Sequence, residues 1–394
     1  EERGPGAGIP ASGLLPALAR GRVKPLRTMF FSAAIGSGHH QAQRAVALAL
    51  KAKGVPIEDQ QLEALDYMNA LERGMGVDLY TFELKYAPWL YRAFYNSTDR
   101  GQVWNHAVEF MFRQGQRRFE PELLTFRPDV VVSSFWAPTA VAGRIRDLYK
   151  LKFLNALVVT DYRVHLHWAR READLLLVAA EETREQMLKR GIPAERVVVT
   201  GIPISPVFRE LQQADQAALR EKHGLKPEVP LILLSAGGTG VYRSLRVVLR
   251  ELGNLGQRVQ VVVPGSQAGA GIEQLGGAML HHLDFTPDFP ELLAASDLVV
   301  GKAGGLTVAE ATALGVPMVV FDPIPGQEEH NADFLARHGA GLYVRNLRDL
   351  RRAVRRALNA DDHAELSRAA LALGRVDAAD RVANAILKTL EVRA

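Results

Sequence analysis

The 394-residue chain has no cysteine, which excludes disulfides, thiolate zinc sites, iron–sulfur clusters and a cysteine nucleophile. That absence fits a reducing compartment, and a cytoplasmic protein is the expectation. Nor does any apolar run approach the ~20 residues of a spanning helix, because charged residues such as Lys302 and Glu310 interrupt every candidate. Aromatic residues amount to only 7%, and the net charge is only +4. What is present is 47% apolar and 23% charged residues, the composition of a folded globular chain rather than a disordered one. The length exceeds one ordinary domain, so two are expected.

The small charge is unevenly placed. Residues 1–200 hold 27 Lys and Arg against 22 Asp and Glu, whereas residues 201–394 hold 21 against 22. A basic half beside a neutral half suits an anionic surface, either nucleic acid or acidic phospholipid. The aromatics are uneven too, since 11 of the 28 fall in residues 80–119. Trp89, Tyr91, Phe94, Tyr95, Trp104, Phe110 and Phe112 are interleaved there with Arg92, Arg100, Arg113, Arg117 and Arg118. Such mixing fits an aromatic core under a helical insertion, or a face that docks on an anionic bilayer. It also occurs where single-stranded nucleic acid binds, but no nucleic-acid module accompanies it here, and no nucleic-acid partner is expected.

Residues 1–27, rich in Gly, Pro, Ala and Arg, read as a disordered leader. Beyond them, short β-branched runs at 29–35, 129–135, 153–160, 175–180 and 196–201 read as buried strands separated by helical periodicity. A second series begins at 230–238 and continues at 258–265, 278–285, 297–302 and 317–323. Strands alternating with helices imply parallel sheets, so the fold class is α/β with two doubly wound domains. The linker is the proline-bearing run 202–208. A terminal helix over 377–394 could pack on either domain.

Three glycine-rich turns leave these strands. In GSGHHQAQ, Gly36 and Gly38 allow close backbone approach to a ligand, and a helix N-terminus follows. The third glycine of a dinucleotide fingerprint is replaced by Gln41, which demotes a nicotinamide enzyme. His39 at the mouth of this turn is either a solvated imidazole or a general base. The second turn holds Gly237, Gly238 and Gly240, and the third opens a helix with Gly304 and Gly305 and carries Glu310 beyond them. Free N–H groups there suit a diphosphate, and a nearby carboxylate suits vicinal ribose hydroxyls. Gln327, Glu328 and Asn331 follow on PIPGQEEHN, with groups suited to a sugar ring. A capped helix with a solvated acidic start is the alternative.

The stretch GKAGGLTVAEATALGVPMVVFDPIPGQEEHN resembles the nucleotide-sugar signature of the glycosyltransferases that make monogalactosyl- or glucosyl-diacylglycerol. These are family 28 enzymes of GT-B fold, relatives of the transferase that makes lipid II. GSGHHQAQRAV and the middle run VVTDYRVHLHW resemble the same family, so the likeness spans roughly residues 29–345.

The resemblance implies two Rossmann-like domains facing across a cleft: an acceptor and membrane-binding domain over 28–203, and a UDP-sugar domain over 204–376. His39 would be the catalytic base. Gly304 and Gly305 would cradle the diphosphate, Glu310 would hold the ribose, and Gln327 with Glu328 would read the sugar, with Gly237, Gly238 and Asn331 also on the donor side. Phe285 and Thr286 fall where the family holds uracil, although PDF departs from its usual pattern. Gly36 and Gly38 would line the acceptor side of the cleft, Asp161, His165 and Trp168 would have an acceptor or structural role in it, and Trp89, Tyr91, Arg92, Trp104, Arg113 and Arg117 would form the membrane face. His165 and His167 lack a carboxylate or thiolate companion for a metal. No D-x-D triplet occurs, and no metal or other cofactor is expected. The implied partners are UDP-galactose or UDP-glucose, diacylglycerol and an anionic membrane surface, with the protein peripheral on the inner face of the cell membrane. The implied reaction is inverting hexosyl transfer. A lipid II-type transfer to an undecaprenyl acceptor, or a non-catalytic nucleotide-sugar-binding module, are the alternatives.

Overall fold

The structure is a computed structural model that describes residues 24–33, 38–68, 74, 79–99, 118–236, 242–266 and 268–393. Its first sheet has six parallel strands in the order β2-β1-β3-β4-β5-β6. They are β1 (Leu26–Ser32), β2 (Ile57–Glu63), β3 (Val130–Ser133), β4 (Leu154–Val158), β5 (Leu175–Val178) and β6 (Val197–Val199). The second sheet runs β13-β12-β11-β7-β8-β10-β9. It comprises β7 (Leu231–Ser235), β8 (Val259–Val263), β9 (Gly271–Leu275), β10 (Ala278–His282), β11 (Leu298–Gly301), β12 (Met318–Phe321) and β13 (Gly341–Val344). All neighbours are parallel except β9, which returns antiparallel on β10.

Among the described helices of the first domain are α1 (Gly38–Ala52), α2 (Leu79–Tyr86), α3 (Pro88–Asp99), α4 (Trp136–Tyr149) and α5 (Glu181–Lys189). Those that follow are α6 (Val207–Leu211), α7 (Gln216–Lys222), α8 (Leu245–Gly253), α9 (Phe289–Ala294), α10 (Gly305–Leu314), α11 (Gln327–Arg337), α12 (Leu347–Ala357), α13 (Ala360–Leu373) and α14 (Ala378–Arg393).

Both sheets are buried on two faces, which is why their central strands read as unbroken apolar runs instead of alternating ones. The period of two still sorts the side chains. Met29, Phe31 and Val131 pack with Phe119, Leu123 and α4 on one face, while Phe30, Val130 and Val132 pack with α1 on the other. In the second domain Leu231, Leu233 and Val299 face one core, and Ile232, Leu234 and Val300 face its opposite.

Three strands escaped the sequence reading: β2, whose IEDQQLE is polar and half-exposed at a sheet edge, and the edge strands β9 and β13. The expected linker is not a loose tether, because Ile202, Ile204 and Phe208 are buried in the second domain's core. The terminal helix α14 crosses back to the first domain, where Ala379, Val382, Ala383 and Ile386 pack with Ala45, Val46 and Leu50 of α1. Arg393 pins its end to Asp174 at 3.1 Å.

Strand order places the site. In the first sheet the chain departs from β1 to one side and returns on the other at β3; in the second, β7 lies between β8 and β11. Loops at the carboxyl ends of strands flanking such reversals form the ligand crevice of doubly wound sheets. Among the described residues, the glycine turn between β11 and α10 and the start of α1 lie at such carboxyl ends.

Candidate active site

His39 lies in the first turn of α1, where the helix is anchored to the ends of two strands. Gln43, one turn on, donates its side-chain amide to the carbonyl of Phe31 and to that of Val132 at 3.4 Å. His40 points elsewhere, bonding Ser32 Oγ at 2.9 Å and Glu63 at 2.8 Å. His39 packs edge-on against Phe135, with ring centroids 5.8 Å apart, and its Nδ1 is buried without a hydrogen-bond partner among the described residues. Burial lowers its pKa to about 4, against the Ser134 carbonyl, which favours the charged form. The imidazole is thus neutral at pH 7, the form a proton acceptor requires.

Opposite stands the N-terminus of α10. Gly304 caps it without a side chain, and no acidic residue occupies the first turn, so its free N–H groups and helix dipole favour an anion. The two loops meet. A Cβ on Gly38 would sit 3.5 Å from Leu306 Cβ, in ordinary contact with the first turn of α10. Gly305 makes the approach closer still, since a Cβ there would fall 1.9 Å from the Thr160 carbonyl oxygen at the end of β4.

Glu310, on the same helix, is buried and has no hydrogen-bond partner among the described residues, and burial raises its pKa to about 8. Glu328 is also buried, accepts the Ile324 N–H at 2.8 Å, and is held above the ordinary carboxylate range by burial, with Lys302 opposing that shift. Lys302 played no part in the sequence-based site. It is a buried cation at the end of β11, its pKa lowered by burial and supported by Glu328 and Asp322. The signal was available, because LVVGKAGG puts a lysine directly between an apolar strand and a glycine turn.

A hydrogen-bonded seam joins the domains beside these groups. Gln327 Nε2 donates to both Asp161 oxygens, at 3.1 and 3.3 Å. Asp161 is buried; burial raises its pKa to about 6, and donors from Gln327, Asn331 and Trp168 limit the rise. Asn331 accepts the Tyr162 N–H at 3.1 Å and donates to the Ala303 carbonyl at 3.0 Å. Both ends of its amide are therefore engaged across the seam between the domains. His165 is likewise turned inward: its Nδ1 accepts the His167 N–H at 3.2 Å, and its Nε2 meets the Tyr95 carbonyl and Thr98 Oγ1 at 3.1 Å. It caps a short turn, the structural one of its two expected roles. Trp168 is buried beneath the same seam.

Phe285, in the second domain, stands 89% exposed, and Thr286 Oγ1 accepts the Asp288 N–H at 3.1 Å. Gly36, Gly237 and Gly238, with Trp104, Arg113 and Arg117, lie outside the described residues. Of the expected membrane face, Trp89 is 70% exposed, alongside Phe82, Tyr86, Leu90 and Phe94. Tyr91 is buried, because it lies on the inner stripe of α3, and it leaves the membrane set. Arg92 is half-exposed but paired with Glu329 at 2.5 Å. Among the described residues no group of three or more His, Cys, Asp or Glu is placed to hold a metal, and no helix is long and apolar enough to cross a membrane.

Two family models match the chain in order: monogalactosyldiacylglycerol synthase over residues 39–204 and the glycosyltransferase family 28 C-terminal domain over 237–382. The processive diacylglycerol beta-glucosyltransferase of Bacillus subtilis is 27% identical over 345 residues, covering 85% of this chain and 88% of that protein. The chain belongs to the diacylglycerol glycosyltransferase family. A second such relative, from Bacillus thuringiensis, is 26% identical over 377 residues, 93% of this chain and 94% of its own.

Solved structures agree on the fold of this glycosyltransferase. MurG of Acinetobacter baumannii superposes with TM-score 0.60 at 18% identity, over 92% of this chain and all (100%) of that one. The UDP-GlcNAc 2-epimerase of Neisseria meningitidis, solved with UDP-GlcNAc, gives 0.60 at 12% identity over 92% and 100%. The two-domain GT-B arrangement expected of the family is the one observed.

Proposed function

We propose that this glycosyltransferase moves a hexose from UDP-galactose or UDP-glucose to the free hydroxyl of diacylglycerol, with inversion, at the inner face of the cell membrane. The observation that carries the reading is the contact between the His39 turn and the first turn of α10. A neutral base and an anion-favouring helix end then face one space from opposite domains. His39 would take the acceptor hydroxyl's proton as its oxygen attacks the anomeric carbon. The bond from that carbon to the phosphate oxygen breaks, and UDP leaves with the electron pair.

Charge developing on the departing diphosphate would be met by the α10 N–H groups and Lys302, a preorganised term that needs no metal. Glu310 would accept both ribose hydroxyls, Phe285 and the Thr286 backbone would lie against uracil, and Gln327 with Glu328 would read the sugar. Gln327 would exchange its Asp161 contact for a sugar hydroxyl. An amide and a carboxylate can bond either C4 epimer, hence both donors. The decisive assay is mass analysis of lipid products from a UDP-sugar panel offered with diacylglycerol. Hexosyl-diacylglycerol is the expected product. Product only with an undecaprenyl acceptor, or UDP binding without any transfer, sinks the proposal.

The membrane face supports the acceptor assignment. Phe82, Tyr86 and Trp89 are each more than half exposed on α2 and α3, and such rings favour the headgroup boundary. Replacing Trp89 by Ala should lower partition onto anionic vesicles by about tenfold, the scale of one buried aromatic side chain. Vesicle pelleting checks this, and unchanged pelleting would remove these helices from the membrane contact.

A further inference from the structure

Helix α3 carries exposed apolar residues on one side and touches the donor domain on another. Its outer side presents Trp89, Leu90 and Phe94, exposed by 70%, 41% and 41%. Arg92, Tyr95 and Asp99 recur three and four residues apart, so they share one helix face. Asp99 fastens the far end of α3 within the first domain, bonding Arg190 at 2.6 Å and the Leu166 N–H at 2.9 Å. Arg92 and Tyr95 reach across to the turn that begins α11.

That turn is unusually dependent on its neighbours. Gly326 has φ of +77°, and a Cβ there would lie 2.5 Å from Tyr95 Cδ1, so the turn rests flat on the tyrosine ring and only glycine fits. Glu329 divides its carboxylate. One oxygen accepts the Gly326 N–H at 2.8 Å and the other meets Arg92 Nη2 at 2.5 Å. Between Gly326 and Glu329 lie only Gln327 and Glu328, the two side chains assigned to the sugar. Their backbone is thus clamped at both ends by residues that touch α3, a helix of the opposite domain.

We infer that Arg92 and Tyr95 are positioning residues for the donor-sugar loop, so that seating α3 on a bilayer sets the geometry in which Gln327 and Glu328 meet the nucleotide sugar. The inference rests on the donor site proposed above. It adds that donor recognition is completed by the acceptor domain and is linked to membrane docking. The enzyme would then bind UDP-sugar more tightly when its acceptor surface is already engaged, without any residue of α3 contacting the donor.

The test uses the full-length chain, with binding of UDP-glucose and UDP-galactose measured with and without vesicles of phosphatidylglycerol and phosphatidylcholine, followed by steady-state kinetics. For the wild type, vesicles should tighten donor binding severalfold. Arg92→Ala should raise the donor KM about threefold to fivefold, the range of a half-exposed ion pair, leave vesicle pelleting and kcat within twofold, and abolish the vesicle effect. Arg92→Lys should restore most of it. Tyr95→Leu, which keeps an apolar side chain, should give a larger rise in donor KM; if it fails to fold, the arginine pair decides alone. An unchanged donor KM in Arg92→Ala, or vesicle tightening that survives in it, overturns the inference. A wild type that binds no UDP-sugar at all overturns the donor-site reading instead.

Discussion

Replacing His39 by Ala should lower kcat by about a thousandfold, within the range that one positioned general base contributes, while UDP-sugar affinity stays within about twofold. The asymmetry follows from the geometry. His39 belongs to the first domain, which approaches the second where Gly38 faces Leu306, and truncating its ring removes no group assigned to the donor. Because burial holds its pKa at about 4, the imidazole is already neutral across the physiological range. The wild-type kcat, measured at saturating UDP-sugar, should therefore fall only as pH drops through about 4 to 5, and this acid limb should vanish in the residual activity of the alanine variant. His40→Ala is the control. That ring bonds Ser32 and Glu63 and is given no chemistry, so a loss there equal to that at His39 would move the base assignment or show that the turn itself had shifted. A near-normal rate in His39→Ala would end the assignment.

Much of this arrangement is legible in the chain before any coordinates. Runs such as DVVVSSF and PLILLSAGG read as strands because a parallel sheet covered on both faces needs no polar alternation, and a glycine turn at the end of such a run marks a carboxyl edge. The edge strands are not legible on the same grounds. The seven residues of β2 are half-exposed and largely charged or amide-bearing, so nothing apolar distinguishes them from a loop.

The site divides in the same way. His39, Gly304, Gly305 and Glu310 are local to one turn and the helix it opens, and local pattern finds them. Asn331 and His165 also stand in recognisable patterns, but what they hold is set by distant neighbours, through bonds to Tyr162, Ala303, Tyr95 and Thr98. Those partners are up to 169 positions away. Lys302 shows the converse: its chemistry comes from burial beside Glu328 and Asp322, which a position in sequence does not display. Tyr91 and Arg92 are adjacent in an aromatic, basic segment, yet one packs inward and the other spans to Glu329, because one residue along a helix is a rotation of about 100°.

Glu310 offers the second large effect, and its sign can be worked out. Its pKa is raised from 4.5 to about 8 by burial alone, so in the free protein at pH 7 the carboxyl is mostly protonated. Two ribose hydroxyls donate to a carboxylate and favour its ionised form. Binding a UDP-sugar at this residue must then release a proton, and affinity should rise by up to about tenfold per pH unit toward pH 8 and level off above it. UDP-sugars suit the measurement because their diphosphate diester does not itself titrate in this window. Calorimetry in buffers of different ionisation enthalpy should register the proton directly.

Glu310→Gln should bind about a hundredfold more weakly at pH 8, the scale of losing a charge-assisted pair of hydrogen bonds, and its affinity should be flat with pH. The same shift bears on stability with the opposite benefit. Between the ordinary carboxylate pKa of 4.5 and about 8, the native state binds more protons at this group than the unfolded chain does, so its contribution to stability is full below that window and is lost as pH rises through it. The ligand-free wild type should thus lose stability from pH 5 to pH 8 relative to Glu310→Gln, read as the difference in thermal unfolding midpoint. A donor affinity independent of pH from 6.5 to 8.5, together with identical stability profiles for the two proteins, would remove Glu310 from the ribose site. If both dependences appear, a carboxyl left unpaired in the free protein weakens the fold at the pH where its ionised form serves the donor.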